Sequence, residues 1–374
     1  MKKRKLWKVL AAAIALIVLV LVGIYFLLQR QSYSEVEVVK YYENVSSDNP
    51  GYIQYLDGIL KYTRDGVSFL NKSGEEIWNQ PCQMGNPVVT VREEIVVLYD
   101  RSGTSVLVLQ EEGLKGEIKT TRPIERVDVS AQGIVAAVLK DDQVPMIVCY
   151  DATGNILVQQ SASLDNTGYP IDVAISDDGT TLLVSYLLAE AKGIRTKIVL
   201  YDFGDENIDK KDHKVFEKEY ENVIIPLASY LDKTKMLLVA DDSFIIYEGK
   251  EQPEEIVRTS VEAICNVVYE ENKIAMIVRN AETSMCELEI YGLNGEKESE
   301  ILLEREYSNI KICNGQIILY EGKECCIYTK DGVCKYRGEM DMDILEMFPL
   351  AGLNKYMMIN ANGFYEVRLA KLGE

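Results

Sequence analysis

Four pairs of closely spaced aspartates, a single histidine and eight cysteines are the groups in this 374-residue chain whose types could do chemistry. Asp141 with Asp142, Asp177 with Asp178, Asp241 with Asp242, and Asp341 with Asp343 could each divide into an acid and a base, or gather a cation. Each pair falls at a turn or strand edge, where aspartate serves local hydrogen bonds, and none has the full loop spacing of a calcium site. His213 lies in a charged stretch among Lys210, Lys211, Asp212 and Lys214, and the chain has no Gly-x-Ser-x-Gly run. Serine–histidine and cysteine–histidine catalysis therefore lack a candidate pair. One histidine and no Cys-x-x-Cys argue against a zinc site, and there is no glycine-rich phosphate loop. The expectation is a protein that is not an enzyme, with no catalytic, cofactor-binding or metal-binding residue to assign, and with its ligand-binding residues unassigned.

The cysteines read as structural. Cys149, Cys265 and Cys313 each lie inside an apolar strand run, where a free thiol behaves as a small buried hydrophobe. Cys325 and Cys326 are adjacent and point to opposite faces of one strand, with Cys334 on the next strand across the Lys330-Asp331-Gly332 turn. One cross-strand bridge is conceivable there. The expectation is mostly reduced, buried thiols, as would suit a bacterium living without oxygen.

The elements that would carry such groups follow a membrane segment. Lys2, Lys3, Arg4, Lys5 and Lys8 precede an uncharged run from Val9 to Leu28. As a helix rising about 1.5 Å per residue this run spans about 30 Å, one hydrocarbon core. The basic cluster on its N-terminal side predicts a cytoplasmic tail over 1–8 and a transmembrane signal anchor over 9–28. All that follows is then extracytoplasmic, on a single-pass protein of the cell membrane. A cleaved signal peptide is the competing reading. Against it, Ala11, Ala12, Ala13 and Ala15 stand near the start of the run, and its end, Tyr25-Phe26-Leu27-Leu28-Gln29, offers no small-x-small cleavage site.

Six of the 40 Lys and Arg lie within the first thirty residues, leaving 34 against 59 acidic residues and a net charge of −25 on the remainder. That field excludes nucleic acid as a natural ligand and repels anionic headgroups.

Residues 29–51 form an exit segment in which 36–42 alternate as a strand, a candidate closing strand for the fold. From Tyr52 the chain repeats a unit of strand, tight turn, strand, loop, strand over 52–81, 86–119, 124–161, 169–204, 222–260, 263–303, 307–340 and 344–374. A spacing of about 40 residues with three or four short strands each is that of propeller blades. Continuous apolar runs such as Ile134-Val135-Ala136-Ala137-Val138 and Ile274-Ala275-Met276-Ile277-Val278 suit strands packed on both faces. Five units end their third strand in a turn that closes on Gly74, Gly154, Gly204, Gly295 or Gly332, where a positive φ is expected. The polar stretch 205–221 reads as an insert. The prediction is an all-β propeller of eight four-stranded blades over 52–374, or seven if one unit is miscounted, preceded by one N-terminal transmembrane helix.

The run from Val173 to Ser185, with Ser176-Asp177-Asp178-Gly179 at its turn, is similar to the blade motif of WD40-like and TolB-like bacterial propellers. The Tyr-Asp-x-x-Gly turns look like those of quinoprotein-like propellers. The layout resembles an uncharacterised family of single-pass membrane-anchored β-propeller proteins from Gram-positive bacteria. Only Trp7 and Trp78 are present, so the tryptophan-docking pattern of quinoprotein enzymes is missing. The resemblance implies a fold, and a fold does not imply a function. The functional expectation is a protein-binding scaffold or sensor whose partner is an envelope or membrane protein. The alternative is a receptor for a small molecule or glycan that uses the propeller channel or face, and 23 tyrosines supply groups favoured at recognition surfaces.

Overall fold

The computed structural model describes residues 16, 17, 19, 20, 23, 30–44, 50–141, 143–162, 167–190, 193–204, 213–250, 252–270, 272–352 and 354–371. Most of the predicted membrane segment lies outside them, and no helix among the described residues is long and apolar enough to cross a membrane. The described chain from residue 35 onward is built from eight four-stranded antiparallel sheets. Sheets 1 to 7 follow chain order over 51–81, 87–119, 124–161, 169–221, 227–260, 264–302 and 309–339. Sheet 8 takes its first three strands from 346–370, and its outer strand is Glu35–Glu43, paired antiparallel with Gly363–Ala370. Two compact units divide the chain: Asn44–Arg305 holds sheets 1 to 6, and Met1–Glu43 with Glu306–Glu374 holds sheets 7 and 8.

In the larger unit the period of two along each strand decides the packing. In the second strand of sheet 3, Val135–Leu139, all five residues are buried. Val135, Ala137 and Leu139 pack with Val97 and Tyr99 of sheet 2, while Ala136 and Val138 pack with Leu182 and Val184 of sheet 4. Sheet 5 repeats this, with Met236 and Leu238 facing sheet 4 and Leu237 and Val239 facing sheet 6. A strand covered on both faces has no polar position to offer, hence the unbroken apolar runs. Outer strands are covered on one face only, and Glu76–Pro81, Ile156–Ser161 and Lys297–Leu302 alternate between exposed and half-buried positions.

The turns between third and fourth strands share one device. Asn71 Oδ1 accepts from the Ser73 and Glu75 amides, Asp151 Oδ1 from Thr153 and Asn155, and Thr329 Oγ1 from Asp331 and Val333. Gly74, Gly154, Gly295 and Gly332 have φ of 80°, 92°, 80° and 82°. Gly204 differs: its φ is not positive, and its amide donates to Asp202 Oδ1 at 2.8 Å. The connection from the third to the outer strand of sheet 4 is longer, from Asp202 to Lys214, than at the other four turns. Lys214–Glu221, read from sequence as part of a polar insert, is the outer strand of that sheet, paired with the third strand from Arg195↔Glu221 to Tyr201↔Lys214. The remainder of the expected insert, 205–212, lies outside the described residues.

Close approach between sheets also sets sequence. A Cβ on Gly116, in the outer strand of sheet 2, would lie 1.9 Å from the Ala152 carbonyl oxygen in the turn of sheet 3. Gly116→Ala is expected to lower stability by about 1–3 kcal/mol through overpacking, read as a lower urea midpoint at unchanged slope.

In the smaller unit Ile318, Tyr320 and Ile327 of sheet 7 pack on Met347, Tyr356 and Met358 of sheet 8, with Tyr33 and Val36 against the same cluster. The chain entering the outer strand is tied down. Ser32 Oγ donates to the Cys334 carbonyl at 2.8 Å, the Tyr33 amide to Lys335 O at 2.7 Å and the Ser34 amide to Ala370 O at 3.1 Å.

All eight cysteines are free. Cys149, Cys286, Cys325 and Cys326 are buried, whereas Cys265 is exposed and Cys313 half-buried, contrary to the reading that these two are core thiols. Cys334 stands opposite Tyr328, while Cys325 and Cys326 face Gly338 and Arg337, so the register pairs no two of these thiols.

Candidate functional site

The first strands of the sheets are less apolar than the second, and in the larger unit three of them bring charged side chains to one region: Arg92, then Arg126 and Asp128, then Asp172. Those of sheets 2 to 6 wall one cavity of about 930 Å³. Arg92, Arg126, Asp128, Asp172, Ser229 and Tyr269 bring polar groups to it, and Val91, Val127, Leu227 and Ile264 bring apolar surface. The cavity falls within the range of small-molecule sites.

Most of its polar groups stitch one sheet to the next. Asp128 Oδ2 accepts the Ile175 amide of sheet 4 at 2.9 Å, and Asp172 Oδ2 accepts the Ala228 amide of sheet 5 at 2.8 Å. Ser229 of sheet 5 hydrogen-bonds the Tyr269 hydroxyl of sheet 6. Arg92 of sheet 2 lies 3.8 Å from Asp128 Oδ2 and 3.5 Å from Asp177 Oδ1, so one guanidinium bridges carboxylates of sheets 3 and 4. The Asp177 oxygen is buried and has no hydrogen bond in addition to this ion pair.

Burial pushes the Asp128 carboxyl above its ordinary value, against the pull of Arg92 and of the Ile175 and Val129 amides. Burial likewise pushes Asp172 up to about 6, against the Ala228 amide and the Arg126 charge, with Asp128 adding to the rise. For an acid whose folded pKa exceeds its unfolded value near 3.9, the native state holds the proton more tightly, so its contribution to stability falls as pH rises from about 4 to 6. Asp172→Asn retains an acceptor for the Ala228 amide and removes the charge. It is expected to flatten that slope and to raise stability at neutral pH by at most about 3 kcal/mol, as followed by urea unfolding across the pH range.

Two charged side chains at the cavity make no direct bond to the protein. Arg126 is exposed and Asp241 is exposed, and neither makes a side-chain hydrogen bond or ion pair among the described residues. Cys265, the one exposed thiol, lies beside them in the lining.

A second polar group gathers on sheet 6. Carboxylate oxygens of Glu287, Glu289 and Glu300 lie within 4.8 Å of one another. The chain supplies its own cation there. Lys297 Nζ bonds Glu289, and Glu300 at 2.7 Å, while Tyr291 donates to Glu289 at 2.6 Å. Burial alone would lower the Lys297 ammonium, but these carboxylates outweigh it and hold it above its ordinary value.

The aspartate pairs flagged from sequence are dispersed. Asp141 accepts the Gln143 and Val144 amides and pairs with Arg122 at 3.0 Å, and Asp142 lies outside the described residues. Asp178 accepts from Ser176, Thr180 and Lys250, and Asp242 accepts from Ser243. Asp341 and Asp343 sit exposed in the bend before sheet 8. Among the described members of these pairs, Asp241, at the cavity, and Asp177, on Arg92, touch the site. His213 has a φ of 53° and its ring lies 5.3 Å from Phe203, away from the cavity lining. Arg92, Arg126 and Asp172 escaped sequence reasoning, although isolated charges in the otherwise apolar first strands were the signal.

A family model matches residues 29–369. The chain belongs to DUF5711, a family of unknown function. No curated protein matches this DUF5711 chain in sequence. Among solved structures it is similar to Saccharomyces cerevisiae Sqt1, at 11% identity and TM-score 0.59, over 91% of this chain and 100% of that one. It is also similar to BamB from Moraxella catarrhalis, at 14% identity and TM-score 0.55, over 89% and 99%. A third is Chaetomium thermophilum Sqt1 bound to the N-terminus of the ribosomal protein L10, at 11% identity and TM-score 0.55, over 90% and 100%. At these identities the likeness shows the fold alone: an all-β propeller of eight four-stranded blades.

Proposed function

We propose that this DUF5711 protein is a non-enzymatic scaffold or sensor that presents a propeller outside the cytoplasmic membrane of the cell that makes it and binds an envelope or membrane protein there. The observation that carries the reading is the use made of the cavity's half-buried carboxylates. Asp128 and Asp172 hold backbone amides of the next sheet, and Arg92 bridges Asp128 and Asp177, so these groups serve rigidity and leave a concave polar surface for recognition. A propeller of like fold, Chaetomium thermophilum Sqt1, is bound to the N-terminus of a ribosomal protein, a precedent for peptide recognition on this architecture.

Three observations support the anchor. The family match begins at residue 29, one residue after the apolar run ends. Leu16, Ile17, Leu19 and Val20 are helical and at least 51% exposed, and nothing approaches within 4 Å of where a Cβ on Gly23 would stand. Exposed apolar helical side chains are what a lipid environment covers.

Cross-linking in intact cells, followed by mild extraction and mass spectrometry, tests the reading against a control carrying residues 1–34 alone. A partner recovered in near-equal amount only with the full chain is the expected result. Recovery of the same proteins with the control, or of none, would overturn it.

A further inference from the structure

The geometry points to a binding site at one end of the five-strand cavity for a dipolar ligand, a free amino acid or short peptide, whose carboxylate meets Arg126 and whose ammonium meets Asp241. The first strands of neighbouring sheets run in the same sense past the cavity. Asp128, near the end of Ile124–Val129, bonds Ile175 at the end of Tyr169–Ile175, and Ser229 reaches Tyr269 near the end of Ile264–Glu270. The cavity therefore has a start end and a finish end. Arg92 and its two carboxylates occupy the finish end and neutralise one another in part.

Arg126, Asp241 and Cys265 occupy the start end. Arg126 lies near the start of its strand, and Cys265 is the second residue of its own. The Asp241 amide bonds the Ile224 carbonyl just ahead of Leu227–Tyr230. Arg126 and Asp241 come from sheets 3 and 5, so the first strand of sheet 4 separates them, and they do not pair. Two opposite charges held apart at a concave surface, with Leu227 and Ile264 between polar groups, are matched by a ligand carrying both charges on a short apolar frame. A ligand with one charge would leave the other side chain without a partner. This site shares the cavity that the protein-partner reading leaves for recognition, but uses Arg126 and Asp241, to which that reading gives no part.

Cys265 supplies a native reporter because it is the exposed thiol of the eight. The full-length chain in detergent is treated with a thiol alkylator in the presence of each free amino acid and of triglycine, with Cys265→Ala identifying the signal. Isothermal titration with the same compounds gives a second measurement that does not depend on occlusion of the thiol. The expected result is that at least one compound gives a saturable heat and slows Cys265 alkylation, while propionate and propylamine do neither. Arg126→Gln and Asp241→Asn are each expected to weaken binding about tenfold or more, the loss of one charge-assisted hydrogen bond. Neither side chain makes a hydrogen bond or ion pair among the described residues, although the Arg126 charge acts on Asp172, and thermal unfolding checks that the two variants remain folded. The proposal is overturned if no compound gives saturable heat, if the single-charge analogues bind as well, or if both variants bind like the parent. Partner recovery by cross-linking with the parent chain tests the scaffold reading without reference to amino-acid binding, so either proposal can fail alone.

Discussion

Replacing Arg92 by methionine is expected to destabilise the larger unit by about 3 kcal/mol, among the largest effects a single substitution can have in it. Its guanidinium is 22% exposed and stands between Asp128 and Asp177, which are 17% and 24% exposed. Methionine fills much of the same volume but leaves two half-buried carboxylates facing each other with no counter-charge. Loss of a partner, not loss of favourable energy in the pair itself, is what makes such a change severe. The measurement is a urea midpoint, with Asp128→Asn and Asp177→Asn added on the Arg92→Met background. Recovery of most of the stability in that combined variant is expected, and a deficit that survives neutralising both aspartates would place the effect in packing instead. The sign with pH is fixed by Asp128, whose folded pKa is already raised by burial despite Arg92. Without Arg92 it rises further, so the deficit shrinks as pH falls and the carboxyl takes up its proton.

Lys335→Met is expected to act in the opposite direction, stabilising the smaller unit at neutral pH by up to about 3 kcal/mol. Lys335 is 2% exposed, and its Nζ donates to Gln316 Oε1 at 3.2 Å and lies 5.9 Å from the centre of the Tyr356 ring. Burial lowers its ammonium to about 8. A lysine whose folded pKa lies below its unfolded value destabilises the native state while charged, and that penalty is relieved as pH rises from about 8 to 10.5. The parent is therefore expected to gain stability over that interval, and the advantage of Lys335→Met to vanish at its upper end. The Gln316 oxygen keeps a donor in the variant, because the Tyr356 hydroxyl also bonds it. A parent whose stability does not rise between pH 8 and 10.5 would show that Lys335 keeps a counter-charge in the folded state.

The repeat was legible because burial on two faces leaves an imprint in one dimension. Val135 to Leu139 cannot be polar at any position when sheets 2 and 4 cover alternate side chains, so an unbroken apolar run recurs at blade spacing. Turn chemistry is equally local, and Asn71, Asp151 and Thr329 close their turns with bonds that span four residues or fewer. Lys214–Glu221 reads from sequence as part of an insert for the converse reason. An outer strand is stabilised by backbone pairing along one edge, and with three successive exposed positions, Glu217 to Glu219, its charge pattern carries no periodic signal. The thiols divide in the same way: Cys149 lies in a covered strand, and Cys265 lies in a first strand that faces the cavity.

By itself the sequence determined the all-β class, the blade spacing and the places where the chain turns, because each depends on contacts within one repeat or on the faces of one strand. Only the tertiary structure decided which charges meet. Arg92, Asp128 and Asp177 come from three different repeats, as do Arg126, Asp241 and Cys265. Each is an ordinary charged or thiol residue in its own segment, and its pairing, its burial and its pKa arise from neighbours that only the stacking of sheets brings within reach.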